Sequence, residues 1–393
     1  MHRTLGIPAV IAAVCLAAAQ GPPPPVRPPA VVTVTNPINM PRPSETIVLA
    51  AADVQRLLGV DDVRNVQVQD DASGSAIVSQ ALDLDQDGKF EQVIFQADLQ
   101  PAQARRFVLR SGGRQALRAS DFKAYGRFVR ERYDDFAWEN DRIAHRVYGA
   151  ALETAVREPL TSSAVDVWTK RVRRLVINDW YMVDDYHRDN GTGGDFYSAG
   201  RSRGCGGTAI WSGGQLYPSA NFRQSRVLAN GPIRVSFELT YEAWDAAGQK
   251  VSEAKRVTLD AGHNLGRYES RFSVDGKPAP PLAYAVGIRK AAGSTSRTSA
   301  EQGTLSSWET FPGDAGHLGC GVVIPPAQLT GFAEADGNYL LIAQAPRGGA
   351  GVYYAGFGWD KSGDFADAAA WDRYLSEWAR RLAAPVRVSV GGQ

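Results

Sequence analysis

The residues best suited to acid–base chemistry lie in a glycine-rich segment, residues 180–201 (WYMVDDYHRDNGTGGDFYSAGR). Its glycines and its Asn-Gly pair indicate a loop, and loops held by a rigid sheet often carry function. Among its side chains that could transfer protons or bind charge, the candidates are His187, Asp189, Asp195, Tyr197 and Arg201. Removing a proton beside a carboxylate requires a base, a donor for the leaving oxygen and a partner for the carboxylate charge. This segment therefore predicts a catalytic loop. The alternative is a glycine-rich surface loop that contains a histidine by chance.

A second polar segment, DDFAWENDRIAHRVYG at residues 134–149, reads as a strand. In a regular strand alternate residues share a face. One face would then carry five side chains suited to a sugar: Trp138, Asn140, Arg142, Arg146 and Tyr148. An indole can stack on a sugar ring, an amide can bind hydroxyls, and guanidinium groups can bind a carboxylate. We expect a substrate-binding face; the alternative is an exposed face with ion pairs.

Together these two segments favour an enzyme that acts on uronate-containing oligosaccharides or polysaccharides. The first hypothesis is a lyase, with His187 as the base, Tyr197 or Tyr148 as the acid, and Arg142 with Asn140 holding the carboxylate. The second is a hydrolase, which needs two carboxylates across the bond; Asp189, Asp195 or Glu139 could supply them. The third is a sugar-binding protein without catalysis, in which Trp138 would matter most.

An acidic segment predicts a structural calcium site. Its carboxylates occupy positions one, three, five and nine around a glycine: Asp83, Asp85, Asp87 and Glu91. Hard cations favour several converging oxygens. Position twelve is Ile94 rather than the glutamate of a helix–loop–helix site, and the flanking segments read as strands. The alternative is an acidic hairpin turn, and we expect no other cofactor.

Composition and charge limit the class of protein. The chain has 40 Gly and 22 Pro, which suits many strands joined by turns. Its formal net charge of +1 gives no basic footprint for nucleic acid. Beyond the amino-terminal region, no stretch is long and apolar enough for a membrane span. The partner that we expect is a saccharide.

The pattern along the chain predicts a mainly β protein with two domains. Residues 1–19 have a charged start, an apolar run and small residues at the end, which indicates a signal peptide and a periplasmic or secreted protein. Residues 20–30 form a proline-rich linker, 31–115 a small β-sandwich, and 116–393 a large antiparallel sheet domain with the catalytic site. Cys205 and Cys320 form either a disulfide or two buried thiols.

One carboxy-terminal helix is expected before a final strand over residues 386–390. Its apolar residues recur at helical spacing: Trp371, Tyr374, Leu375, Trp378 and Leu382. Asp364 is available as its cap and Pro385 as its stop.

Several long motifs resemble those of a bacterial family, domain-of-unknown-function family 4861. They are DDFAWENDRIAHRVYG, YHRDNGTGGDFY with GCGGTAIW, LANGPIRVSFELTY, and GFGWDKSGDF followed by a Trp-rich helix. The resemblance extends over nearly the whole chain after the predicted signal peptide. It implies a role in the breakdown of uronate polysaccharides, without choosing a reaction.

The shorter motif NDRIA resembles a strand of galactose-mutarotase-like proteins. This resemblance implies a β-supersandwich in which Asn140 and Arg142 face the sugar. A mutarotase would also need a histidine and a carboxylate, for which His187 with Glu269 or Asp195 are candidates. Fold alone does not choose among lyase, hydrolase and mutarotase.

Overall fold

The computed structural model describes residues 28–392. The predicted signal peptide (1–19) and most of the predicted linker (20–30) lie outside the described residues. The first part of the chain contains these strands: β1 Ala30–Thr35, β2 Arg42–Ala50, β3 Val66–Asp70, β4 Ala76–Ile77, β5 Ser79–Leu82, β6 Gln92–Leu99 and β7 Ala104–Ser111. The middle part contains β8 Ala124–Val129, β9 Asp135–Asn140, β10 Ala144–Val147, β11 Asp166–Lys170, β12 Gly193–Gly194, β13 Cys205–Ser212, β14 Gln215–Tyr217 and β15 Gln224–Ala229.

The last part contains the longest strands and the longest helix. The strands are β16 Arg234–Ala246, β17 Gln249–Asp260, β18 Leu265–Val274, β19 Lys277–Pro278, β20 Leu282–Arg289, β21 Thr295–Ser299, β22 Thr304–Thr310, β23 His317–Val323, β24 Leu329–Ala335, β25 Asn338–Ala345, β26 Ala350–Trp359 and β27 Arg387–Gly392. The α-helices of the described residues are α1 Ala51–Leu58, α2 Ile177–Val183 and α3 Ala368–Ala383. None of them is both long and apolar enough to cross a bilayer.

The amino-terminal strands form two small sheets around their own apolar core. One sheet has the order β27-β1-β7-β3-β4 and the other β2-β6-β5. The alternating apolar residues of β1 and β7, such as Val32, Val34 and Phe107, are fully buried between them. The sequence assigned the last strand to the second domain. In the structure β27 instead pairs with β1, with Val32 opposite Val390, so the first and last strands of the described residues lie side by side in one sheet.

Three further antiparallel sheets surround a second core. Two have the orders β12-β11-β10-β9-β8 and β14-β13-β20-β25-β24. The third has nine strands, eight of them in the order β15-β16-β17-β18-β26-β23-β22-β21, with β19 paired to β18. Side chains from all three meet in one apolar cluster that includes Phe136, Phe237, Val286 and Phe357. The mainly β, antiparallel fold with a carboxy-terminal helix is therefore confirmed.

Helix α3 packs Trp371, Leu375 and Trp378 against the nine-stranded sheet, as their helical spacing predicted. Its cap is Asp367, whose carboxylate accepts a hydrogen bond from the Ala370 amide at 2.7 Å. The prediction that Asp364 caps the helix was wrong, because Asp364 forms ion pairs with arginines instead.

Cys205 and Cys320 are both buried, free thiols in this structure. Each lies on a strand that faces the large core, Cys205 on β13 and Cys320 on β23. Of the two possibilities that the sequence left open, the structure shows buried thiols.

The polar segment at residues 134–149 is a hairpin rather than one strand. Strands β9 and β10 pair so that Trp138 lies opposite His145 and Ala137 opposite Arg146. The Asn140 carboxamide oxygen accepts hydrogen bonds from the amides of Arg142 (2.8 Å) and Ile143 (2.9 Å), and this closes the turn. The predicted single face is therefore wrong, because the chain reverses direction between Asn140 and Ala144.

Candidate active site

A cleft of about 450 Å³ opens beside the sheet that contains β10 and β11. This volume is in the range of small-molecule sites. All three predicted catalytic residues, His187, Tyr148 and Tyr197, line it. Five other charged side chains line the cleft: Arg132, Arg146, Glu158, Asp166 and Asp195.

Strand register brings the charged centre of the cleft together. Arg146 on β10 is the direct antiparallel partner of Asp166 on β11. The Arg146 Nε donates to Asp166 Oδ2 at 2.8 Å, and its Nη2 donates to Asp195 Oδ2 at 3.0 Å. Two carboxylates therefore share one guanidinium, whose planar fork suits such contacts.

The glycine-rich loop is held by short pairing to the same sheet. Gly193 and Gly194 of β12 pair with Lys170 and Thr169 of β11. Gly193 has φ +108°, and a Cβ atom there would lie 2.0 Å from the Thr169 carbonyl oxygen. Glycine is therefore required at this position. The Asp195 amide, next in the chain, donates to the Tyr186 carbonyl at 2.7 Å.

His187 lies at the mouth of the cleft, with 67% of its side chain exposed. Its Nδ1 atom is 3.3 Å from the Asp195 carbonyl oxygen and 3.7 Å from Asp195 Oδ2. Both neighbours can accept a hydrogen bond, so they favour a proton on Nδ1. Nε2 is then free to accept a proton.

Three buried carboxyl groups surround Arg146. Besides Asp166 and Asp195, Asp135 Oδ2 lies 3.8 Å from Arg146 Nη1. Burial raises the pKa of Asp195 well above its usual value, and the neighbouring Asp166 raises it further. Burial also raises the pKa of Asp135 to about 7, against the opposing effect of Arg146. The cluster therefore retains a proton near neutral pH.

Both tyrosines of the cleft are kept in the protonated form. The Tyr148 hydroxyl donates to Asp166 Oδ2 at 2.9 Å, and burial together with that carboxylate raises its pKa well above the usual value. Burial likewise raises the pKa of Tyr197. The Tyr197 hydroxyl has no hydrogen-bond partner among residues 28–392. This hydroxyl is buried next to the Cys320 thiol, and its capacity to donate to an oxygen or nitrogen is unused among the described residues.

Two predicted binding residues serve the fold instead. Trp138 is 1% exposed and packs on His145 and Phe237 in the core, so no sugar can stack on it. Asn140 is fully buried, and its Nδ2 donates to the carbonyl oxygens of Asp260 (2.6 Å) and His263 (2.7 Å). The asparagine side chain thus closes the turn between β9 and β10.

Of the other predicted binding residues, Arg146 and Asp195 line the cleft, whereas Arg142, Asp189 and Arg201 do not. Arg142 forms an ion pair with Asp364. Asp189 pairs with Arg171 and accepts hydrogen bonds from the Gly191 and Gly193 amides, so it shapes the loop. Arg201 is exposed to solvent beyond the end of the cleft.

Two other candidate carboxylates from the sequence are also engaged elsewhere. Glu139 is fully buried, binds Lys170 Nζ at 2.6 Å, and accepts hydrogen bonds from the amides at the start of α2. Glu269 pairs with Arg267 on β18. Neither lines the cleft with His187.

Sequence reasoning missed Asp166 and Arg132. Asp166 begins the apolar strand DVWTK, and a lone carboxylate in a strand that is otherwise core was the available signal. Arg132 lies in the turn between β8 and β9. Its Nε donates to the Tyr186 hydroxyl at 3.1 Å, whereas its buried Nη1 has no partner among the described residues.

The acidic loop is a hairpin connection between β5 and β6, as its flanking residues predicted. Oxygen atoms of Asp83, Asp85, Asp87 and Glu91 lie within 4.8 Å of one another. Several of these oxygens accept backbone hydrogen bonds, for example Asp83 Oδ2 from the Gly88 amide at 3.0 Å. An all-oxygen donor set of this kind fits Ca²⁺, and binding stays a prediction.

Known proteins match this chain over almost its entire length. A curated relative, the uncharacterized protein P7 of Formosa agariphila, is 34% identical over 373 residues, which are 91% of this chain and 93% of the relative. Two solved structures from Enterococcus faecalis, an alpha-mannosidase of strain V583 and a protein in the glycosyl hydrolase family 38, each match with 10% identity and a TM-score of 0.49. Those matches cover 93% of this chain but 46% and 47% of the two structures, so the chain spans about half their length. At this similarity they assign no activity.

The family model described as domain of unknown function (DUF4861) matches residues 34–388. This range contains the cleft, the large core, most of the smaller core and the first two residues of β27. The resemblance seen in the motifs is thereby confirmed, and the chain belongs to the DUF4861 family.

Proposed function

We propose that this protein is a carbohydrate-active enzyme that cleaves uronate-containing oligosaccharides or polysaccharides by β-elimination. The observation that carries the proposal is the convergence on one cleft of an accessible histidine, two protonated tyrosines and an arginine with an unused donor. These are the base, the acid and the carboxylate partner that elimination requires.

In this scheme His187 Nε2 removes the proton from the carbon next to the uronate carboxylate. The electron pair of that C–H bond forms the new C=C bond, and the adjacent C–O bond to the leaving sugar breaks. A tyrosine O–H donates its proton to the leaving oxygen. Tyr197 suits this role because its hydroxyl has no partner among the described residues, whereas that of Tyr148 is bound to Asp166.

The carboxylate of the substrate would be bound by Arg132 rather than by Arg142. Arg132 lines the cleft and has its Nη1 unpaired among residues 28–392, with 19% of the side chain exposed. The charge of Arg146 is already compensated by its contacts with Asp135, Asp166 and Asp195. We therefore assign Arg146 a positioning role.

One observation favours hydrolysis as the second candidate. Asp166 and Asp195 both contact the Arg146 guanidinium, and burial keeps Asp195 protonated. A protonated and an ionised carboxyl group in one cleft are the pair used by glycosidases. In that mechanism Asp195 is the general acid, and the products gain one water.

Substitution within the cleft separates the two mechanisms. Elimination predicts that His187→Asn and Tyr197→Phe each lower kcat by about 10²–10⁴-fold, with unchanged circular dichroism and thermal midpoint. His317→Asn is the matched control, because His317 pairs with Asp360 outside the cleft. Full activity of His187→Asn together with loss of activity in Asp195→Asn would contradict elimination and favour hydrolysis. Saccharide binding without turnover in the parent protein would make it a binding protein.

A further inference from the structure

A second cleft of about 400 Å³ lies where the amino-terminal sheets meet the nine-stranded sheet and helix α3. Strand β2 contributes Glu45, β18 contributes Arg267, β26 contributes Tyr354, and α3 contributes Trp378 and Arg381. None of these residues lines the candidate active site. The two clefts are therefore separate.

This cleft contains more buried positive than negative charge. Arg42, immediately behind it, is fully buried and lies 3.3 Å from Glu45 Oε1. Arg381, with 10% of its side chain exposed, lies 4.0 Å from the other oxygen, Glu45 Oε2. Two guanidinium groups thus share one carboxylate. A buried charge is costly unless it is paired.

Arg381 is also short of hydrogen bonds. Its one hydrogen bond to the described residues runs from Nη1 to the Pro43 carbonyl oxygen at 3.5 Å, and Nε has no partner there. The neighbouring Trp378 Nε1 is buried and likewise unpartnered among residues 28–392. Buried donors without acceptors are uncommon in folded proteins. An acceptor supplied by a ligand would satisfy them.

The other charged groups of the cleft are balanced. Arg234 binds Asp260 through two hydrogen bonds of 2.6 and 2.7 Å. Arg267 pairs with Glu269 on the same strand and is 39% exposed. His263 is neutral because burial lowers its pKa to about 4. The excess positive charge therefore resides on Arg42 and Arg381.

We propose that this cleft is a second saccharide-binding site, which binds an anionic sugar through Arg381 and packs its ring against Trp378 and Tyr354. A guanidinium fork matches a carboxylate, aromatic side chains offer the apolar surface, and the volume suits a short saccharide. The choice of uronate as the anion rests on the proposed function. The site itself rests on the geometry of the cleft.

The test is calorimetric titration in a His187→Asn background, which prevents turnover. The probes are a uronate tetrasaccharide, the same saccharide with its carboxyl groups reduced, and sodium sulfate. Arg381→Met removes the charge and keeps an aliphatic side chain on Trp378. Arg373→Met is the control, because Arg373 is exposed on the same helix and does not line the cleft.

We expect the uronate tetrasaccharide to bind at two sites and Arg381→Met to weaken one of them at least about 10-fold. Arg373→Met should leave both unchanged, and Arg267→Gln should weaken the same site as Arg381→Met. The reduced saccharide should bind that site at least about 10-fold more weakly. Because turnover is not measured, this result stands or fails separately from the proposed reaction.

Two outcomes would overturn the inference. Titrations of Arg381→Met and Arg267→Gln identical to those of the parent would exclude the cleft as a saccharide site. Sulfate binding as tight as that of the tetrasaccharide would show a simple anion site. The thermal midpoint of ligand-free Arg381→Met should fall little, since the contacts of Arg381 with Glu45 and Pro43 are long and Glu45 keeps its closer partner Arg42; a large fall would show that Arg381 is structural.

Discussion

Replacing Asp135 with Asn should change how the stability of this protein depends on pH. Asp135 is fully buried beside Arg146, and its Oδ2 atom has no hydrogen bond among the described residues. Burial raises its pKa from 3.8 to about 7. The folded chain therefore binds this proton more tightly than the unfolded chain does.

The sign and the size follow from this difference. A carboxyl group whose pKa is higher in the folded state stabilises the fold below its unfolded pKa, and that contribution is lost as the pH rises through the folded pKa. The contribution of Asp135 to stability is thus lost between about pH 4 and about pH 7. A pKa shift of this size corresponds to a change of at most about 4 kcal/mol in the free energy of unfolding. We expect at least about 1 kcal/mol to be measurable.

The assay is urea denaturation from pH 5 to pH 8.5, with Asp135→Asn compared with the parent. Relative to the parent, the variant should gain stability as the pH rises, because Asn cannot ionise. Exposed Asp314→Asn is the control and should follow the parent at every pH. Parallel curves for Asp135→Asn and the parent would refute the raised pKa of Asp135.

Three further substitutions or treatments test other parts of the structure. Trp138→Ala should destabilise the fold by about 3–5 kcal/mol as a core truncation, without weakening saccharide binding by the folded protein; selective loss of binding at full stability would contradict this. Asn140→Ala removes four hydrogen bonds to backbone groups and should cost about 2–4 kcal/mol, with kcat unchanged; a lower kcat at full stability would return Asn140 to the site. If the acidic loop binds calcium, a chelator should lower the thermal midpoint of the parent but not of Asp87→Asn; equal responses would exclude it.

The class of the fold could be predicted from the sequence because strand patterns and turn residues recur along the whole chain. The pairing of strands that are far apart in the sequence could not be predicted. Nothing local in residues 386–390 shows that this strand pairs with β1 rather than with the sheet beside α3. Pairing of this kind depends on the shape of the whole molecule.

The members of the cleft could be predicted in part. His187, Tyr197 and Asp195 belong to one loop, and Arg146 and Tyr148 lie at the end of the hairpin that faces it. The face assigned to the hairpin was wrong because the rule of alternate residues holds only while a strand continues. Asn140 followed by Asp141 is a turn signal, and it outweighs the alternation that predicts a binding face.

The residues that the sequence did not suggest are those whose role depends on a neighbour in space. Asp166 matters because strand register places it opposite Arg146. Arg132 matters because its turn reaches Tyr186 of the glycine-rich loop. Neither contact leaves a local pattern.

The most direct test of the proposed reaction is to weigh the products. The purified protein is incubated with uronate oligosaccharides, and the fragments are measured by mass spectrometry. Elimination at the His187 cleft predicts fragments whose masses sum to that of the parent saccharide, with one fragment carrying an unsaturated end. Fragments that together gain one water would contradict elimination and assign the chemistry to Asp166 and Asp195.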